Sequence, residues 1–177
     1  IREWGQEQLV RDARITQIYE GTNGIQAMDL LMRKVAGSNG AMLEVFTDEV
    51  NAFIESTKDE QGMSEFITPL AEAVSDLTDL TTDLLAKSQH DINELGASAN
   101  DYLHVFGYTA MAYVWARMAK VSLSQQESNG ESGKDFYQSK LHTARYFFSR
   151  LLPRRLSLIV SAKSGSDCLF AIDDELF

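Results

Sequence analysis

The sequence predicts an all-α fold, and three observations carry that reading. Only two prolines, Pro69 and Pro153, interrupt 177 residues. Long stretches are rich in Ala, Leu, Glu, Gln and Met, the residues that lose least on entering a helix, with Asp alongside them. Apolar residues recur three and four positions apart in block after block, the period of a helix with one buried side. Together they predict an up-down antiparallel bundle of about four helices over residues 40–163, preceded by helical residues 1–37 of a different texture.

The elements follow in order. Residues Glu3 to Arg11 read as a short helix with Trp4, Leu9 and Val10 on its buried side. Ile15 to Glu20 has an alternating pattern too short for a confident strand, and Gly21-Thr22-Asn23-Gly24 is a turn signal. Ile25, Met28, Leu31, Met32 and Val35 then fall at helical spacing, and Gly37-Ser38-Asn39-Gly40 ends that helix. Met42, Leu43, Phe46, Val50, Phe53 and Ile54 mark an amphipathic helix that stops near STKDEQG. From Met63, the residues Phe66, Leu70, Val74, Leu77, Leu84 and Leu85 form the next stripe, with Pro69 expected in its first turn, where a missing N–H costs little.

The longest helix is expected from Ile92 to Gln126. It carries Leu95, Ala99, Leu103, Phe106, Ala110, Tyr113 and Val114 and is apolar nearly all round, as suits the centre of a bundle. Ser128 to Gly133 reads as a loop. A fourth helix presents Tyr137, Leu141, Ala144, Phe148 and Leu151, and Pro153 breaks or kinks it before a short helix from Leu156 to Ala162. Gly165 to Phe177 reads as an extended tail anchored by Leu169, Phe170, Leu176 and Phe177.

Composition limits the function. A formal charge of −10 opposes a nucleic-acid surface, which needs a basic face, and also an anionic lipid surface. No run of about 18 apolar residues is present to span a membrane, and no signal peptide is legible. The single cysteine, Cys168, excludes an internal disulfide and a Cys-based zinc site, and fits a reducing, cytoplasmic setting. The chain starts at Ile1 in IREWGQEQLVRDA, which already reads as helix, so a C-terminal piece of a longer protein is expected.

Chemistry concentrates in QIYEGTNGIQ, Gln17 to Gln26. Ile18 and Tyr19 could desolvate Glu20 and lift its pKa from the ordinary carboxylate range toward neutrality, as a general base requires. Gly21 allows close backbone approach to a ligand. Thr22 or Asn23 can cap the next helix, whose N–H groups could meet a phosphate. The residues alone leave two readings of Glu20 open, a catalytic base or the exposed acid of an ordinary helix start.

The run RDARITQIYEGTNGIQAMDLLMRK, from Arg11 to Lys34, resembles the C-terminal signature of the acyl-CoA dehydrogenases, in which an Arg-Asp-Ala segment precedes Ile-Tyr-Glu-Gly-Thr. The remainder is similar, more loosely, to the extra helical domain of one branch, which includes long-chain and methylmercaptopropionyl-CoA dehydrogenase-like enzymes. The resemblance implies that residues 1–37 end the catalytic helical domain and that residues 40–177 are the extra bundle with its tail. It further implies an acyl-CoA thioester lying between Glu20 and the flavin of FAD. Glu20 would take the α-proton while a hydride leaves the β-carbon, giving the 2-enoyl-CoA. The Glu20 backbone N–H and a flavin ribityl hydroxyl would hold the charge on the thioester oxygen.

By the same resemblance Gly21 lies beside the thioester, and Thr22 and Gly24 contact FAD. Gly24 stands where many members carry Gln, so only its backbone could serve. Met32 stands where many carry Arg, with Arg33 and Lys34 beside it. An electron-transfer flavoprotein as electron acceptor and a homo-oligomer are also implied. Alternatives on the same fold are an acyl-CoA oxidase, a flavoprotein of the DNA-alkylation response, and a non-catalytic oligomerisation or interaction module in residues 40–177.

Other chemical residues have plainer readings. His90, His104 and His142 lack metal-ligand spacing, so no metal is expected, and His104 reads as a core or interface histidine. Asp76, Asp79 and Asp83 read as a solvated stripe. Arg150, Arg154 and Arg155 read as partners of a helix C-terminus, with docking to an acidic partner or CoA phosphates as the sharper option. Tyr102, Phe106, Tyr108, Tyr113 and Trp115 read as packing.

Overall fold

One helix organises the molecule. In the computed structural model, which describes residues 3, 5–18, 22–126, 131–172 and 174–176, helix α5 (Asn93–Gln126) forms an axis on which the other long elements pack. At 1.5 Å per residue it is about 50 Å long. Its buried side includes Leu95, Ala99, Tyr102, Val105, Thr109, Ala112, Ala116 and Ala119, at steps of three or four. The stripe expected from the sequence runs through Leu103, Phe106, Ala110 and Tyr113, one position further on. Those residues are only half-buried, and Val114 is exposed. Small alanines turn inward because they let neighbouring helices close on α5, and the large side chains fill the flanks.

Around α5 stand α3 (Ala41–Thr57), α4 (Ser64–Ser88), α6 (Glu131–Tyr146) and α7 (Arg155–Ala162), with the earlier helix α2 (Asn23–Met28) and its π-helical continuation Asp29–Ala36. Short connections make successive long helices antiparallel. The all-α class and the bundle of about four long helices are therefore observed. One core layer joins Val50, Phe66, Leu70, Ala116, Leu141 and Phe148 of α3 to α6 and its extension. The other joins Ala27, Leu31 and Val35 to Leu43, Leu77, Leu84, Leu95, Tyr102 and Ala162. Phe46 borders both layers and packs on Phe106 with ring centroids 4.9 Å apart.

The junction between α2 and α3 is built on glycine. The π-turns bring the Gly37 N–H to the Met32 carbonyl at 3.0 Å, and a Cβ on Gly37 would lie 2.3 Å from the Arg33 carbonyl oxygen. Gly40 has φ +88°, a left-handed conformation that L side chains avoid.

Several sequence expectations are corrected. Helix α1 (Glu7–Arg14) buries nothing: Leu9 and Val10 are exposed, and Trp4 lies outside the described residues. Ile15–Gln17 is a 3₁₀ turn continuing α1 rather than a strand. Ala27, not Ile25 or Met28, joins Leu31 and Val35 inward, and Met42 is exposed. Pro69 is the sixth residue of α4, beyond the first turn. Helix α6 already starts at Glu131, so residues 131–133 are helical despite Ser132 and Gly133; residues 127–130 lie outside the described residues. The tail is not extended. It forms 3₁₀ turns at Asp167–Leu169 and Asp174–Leu176, and Leu169, Phe170 and Leu176 are exposed rather than anchoring; Phe177 lies outside the described residues.

Polar contacts hold that end instead. The Ser98 hydroxyl donates to the Ala162 carbonyl at 2.8 Å, and the Glu94 carboxylate accepts from both the Ser166 N–H and the Ser166 hydroxyl at 2.8 Å. Donation by the Ser166 backbone, then by its hydroxyl, pulls the Glu94 carboxyl below its usual pKa.

Candidate functional site

The chemistry-bearing stretch runs from α1 to the start of α2. Glu20 and Gly21, with Tyr19, lie outside the described residues. The residues that flank them in sequence are described. Thr22 takes the N-cap position of α2, with its carbonyl accepting from the Gln26 N–H at 2.8 Å. Its side chain makes no capping hydrogen bond, so the hydroxyl is not spent on the helix. Gly24 lies in the first turn with ordinary negative φ, exposed, and a Cβ there would meet nothing within 4 Å. Neither the backbone nor packing among the described residues requires glycine at that point, although glycine costs a helix about 1 kcal/mol relative to alanine.

The later residues of this helix and its π-helical continuation are packed into the bundle. Ala27 and Leu31 are fully buried and Val35 nearly so, set against Leu43, Leu80 and Tyr102. Any group held by Thr22 or Gly24 is therefore referenced to the bundle core. Around this start Ile15, Ile18, Ile25 and Met28 are exposed, an apolar rim at the chemistry-bearing end.

The two cations beside Met32 are committed. The Arg33 guanidinium bonds Asp29, and Lys34 lies 3.1 Å from the other Asp29 oxygen. Arg33 first, and then Lys34, hold the Asp29 carboxyl down at about 2.

Elsewhere the polar residues are structural. His90, His104 and His142 are exposed, so His104 is not a core residue; its flank of α5 faces outward. No group of three His, Cys, Asp or Glu side chains could hold a metal among the described residues. Arg155 is buried at the first residue of α7, where the helix dipole disfavours a cation, and its Nε donates to Asp76 Oδ2 at 2.8 Å. It forms a core ion pair, and its Nη1 also donates to the Leu152 carbonyl at 3.4 Å, at the end of the α6 extension, while Arg150 and Arg154 are exposed. The expected acidic stripe is split accordingly: Asp76 binds Arg155, Asp83 lies 3.3 Å from Lys87, and Asp79 is exposed. Tyr102 is fully buried, and its hydroxyl lies 2.8 Å from Thr81 Oγ1, which itself donates to the Leu77 carbonyl; burial pushes the phenol up to about 12.

One surface was missed. A groove of about 390 Å³ between α5 and α6 is lined by Val114, Met118, Val121, Phe136, Arg117 and Lys140, among others. Its signal is a second apolar stripe on α5, at steps of four and three, facing away from the core.

Comparison with known proteins gives a consistent result. Residues 46–173 match the family model described as acetyl-CoA dehydrogenase C-terminal like. The chain is 25% identical to a broad-specificity linear acyl-CoA dehydrogenase of Mycobacterium tuberculosis over all of its own length and 30% of that protein's. It is 33% identical to the 3-methylmercaptopropionyl-CoA dehydrogenase of Ruegeria pomeroyi over 86% of this chain and 26% of the relative. A butyryl-CoA dehydrogenase of Syntrophomonas wolfei is 24% identical over the whole chain and 29% of its own length. The chain thus spans 26–30% of the length of these three relatives.

Proposed function

Because this chain belongs to the acetyl-CoA dehydrogenase C-terminal-like family, we propose that it is the C-terminal part of an FAD-dependent acyl-CoA dehydrogenase. The reaction is α,β-dehydrogenation of an acyl-CoA thioester to the 2-enoyl-CoA, with Glu20 as the base. Residues 1–37 end the catalytic helical domain, and residues 40–177 form the additional bundle. The observation that carries this reading is the start of α2. A Thr22 hydroxyl that makes no helix-capping bond and a Gly24 with open space around it follow directly on Glu20 and Gly21, on a helix whose later residues are packed into the core.

The chemistry asked of these residues is simple. Glu20 accepts the α-proton of the thioester, a step that a carboxylate performs at neutral pH when water is excluded and its pKa rises. Ile18, Ile25 and Met28 supply apolar surface that, once covered by substrate and the rest of the enzyme, keeps the site dry. Gly21 leaves room for the thioester. FAD, held in part by the Thr22 hydroxyl and the Gly24 backbone, supplies the hydride acceptor. Both residues fit that role because the Thr22 hydroxyl makes no capping bond and, among the described residues, nothing lies within 4 Å of a Cβ placed on Gly24.

The reduced enzyme passes its electrons to an electron-transfer flavoprotein, functions as a homo-oligomer and resides in the cytoplasm. No helix among the described residues is long and apolar enough to cross a membrane. This chain alone does not retain FAD or turn over acyl-CoA, because it carries only part of the site. In the full-length protein, Glu20→Gln leaves FAD absorbance at the wild-type stoichiometry and lowers enoyl-CoA formation by about 10²–10⁴-fold, the usual range for loss of a general base. Wild-type turnover in that variant excludes Glu20 as the base.

A further inference from the structure

We propose that the groove between α5 and α6 binds the C-terminal tail of a second copy of this chain. The groove has an apolar floor of Val114, Met118, Val121, Phe136 and Tyr137 and a cationic rim of Arg117 and Lys140. Both cations rest on aromatic faces, Arg117 at 5.3 Å from the Tyr113 ring centroid and Lys140 Nζ at 5.1 Å from that of Phe136. Among the described residues neither cation meets a carboxylate. Glu49 accepts from the Tyr113 hydroxyl at 2.9 Å and forms no ion pair with Arg117, so in a chain with a net charge of −10 an apolar slot rimmed by two cations outside any ion pair selects an apolar and acidic occupant.

The tail has that chemistry. Its last nine residues, LFAIDDELF, carry three carboxylates and no base. Leu169, Phe170, Ile172 and Leu176 are all exposed, with Phe170 67% accessible. Four large apolar side chains left in water on one short segment call for a covering surface.

The tail cannot reach its own groove. Ser166 is fastened to Glu94 at the N-terminal end of α5, and from Glu94 to Arg117 that helix rises about 35 Å. Leu169 and Phe170, three and four residues past Ser166, extend at most about 14 Å. Leu176 would need full extension to span the distance, and the 3₁₀ turns at Asp167–Leu169 and Asp174–Leu176 shorten the segment. A second copy satisfies both surfaces, and reciprocal exchange of two tails closes a two-fold dimer. This pairing does not depend on the catalytic assignment, and its test reads binding rather than turnover.

The test uses full-length protein truncated after Cys168 and a fluorescent peptide of residues 169–177. The peptide is expected to bind the truncated protein and to bind the Arg117→Glu, Lys140→Glu variant at least about tenfold more weakly; Lys140→Ala gives a smaller loss if the double reversal disturbs folding. Carbodiimide cross-linking of mixed light and heavy isotopic copies of the untruncated protein should join tail carboxylates to Lys140 between copies. No peptide binding, equal binding to the variants, or tail-to-Lys140 cross-links only within one copy would overturn the proposal.

Discussion

Removing the Asp76 carboxylate should cost more than removing both charges of its pair with Arg155. The Arg155 side chain is 6% exposed and that of Asp76 is 33% exposed, with Nε and Oδ2 at 2.8 Å. In Asp76→Ala the guanidinium stays buried at the positive end of α7, left with the long 3.4 Å bond to the Leu152 carbonyl and with Glu72, 3.9 Å away and well exposed, to turn toward it. Breaking a buried pair from one side costs about 3–5 kcal/mol. The partial exposure of Asp76 and the nearness of Glu72 reduce this to about 2–3 kcal/mol, or roughly 4–12 °C in Tm for a chain of this size. The reverse deletion, Arg155→Met, is milder because Asp76 can rehydrate. The double replacement Asp76→Leu, Arg155→Met should come within about 1 kcal/mol of the parent, since an apolar pair of similar volume needs no compensation. Denaturant unfolding of the four proteins compares these losses directly. A loss under about 0.5 kcal/mol in Asp76→Ala, or a double variant as unstable as that single one, refutes the reasoning.

Tyr102→Phe removes one buried hydrogen bond but leaves Thr81 bonded to the Leu77 carbonyl, so a loss of about 1 kcal/mol is expected on chemical denaturation. The folded Tyr102 phenol titrates at about 12, against 10.0 ordinarily, so the native state holds its proton where the unfolded chain has lost it. Its contribution is therefore full below 10 and falls as pH rises toward 12, which phenolate absorbance and stability measured together will follow. For Glu94 the sign is opposite: its lowered pKa stabilises the C-terminal turn at neutral pH, and the gain disappears as pH falls through the folded value. Faster amide exchange at Ser166 in acid, and at neutral pH in Glu94→Ala, is the expected result. Gly40→Ala forces an L side chain to φ +88° and should cost about 1–2 kcal/mol, although the nearest neighbour, Leu85 Cδ1, lies 3.8 Å away and leaves room.

Much of this fold was legible because its helices are long and their periods regular. The boundaries of α4 and α5 follow from apolar steps that persist through many turns. Faces were harder. On α5 the bulky Leu103 and Phe106 drew the stripe one position off, because alanine carries little hydrophobic signal yet is what a crowded axis needs inside. On α2 the same small residue, Ala27, hid the inward face behind the exposed Ile25 and Met28. The role of Arg155 was invisible because its partner lies nearly eighty positions earlier, and only tertiary packing joins them. At the candidate site Thr22 and Gly24 were legible from a motif. The commitment of Arg33 and Lys34 to Asp29 needed coordinates, since an i,i+4 pair can equally be solvated.

The central claim is that Glu20 removes the α-proton. The most direct measurement is α-carbon deuterium exchange in acyl-CoA incubated in D₂O with the full-length, FAD-loaded enzyme. The wild-type protein is expected to incorporate deuterium at the α-carbon, and Glu20→Gln with its full complement of FAD is expected to slow that exchange by at least about a hundredfold. Exchange at the wild-type rate in Glu20→Gln would contradict the account.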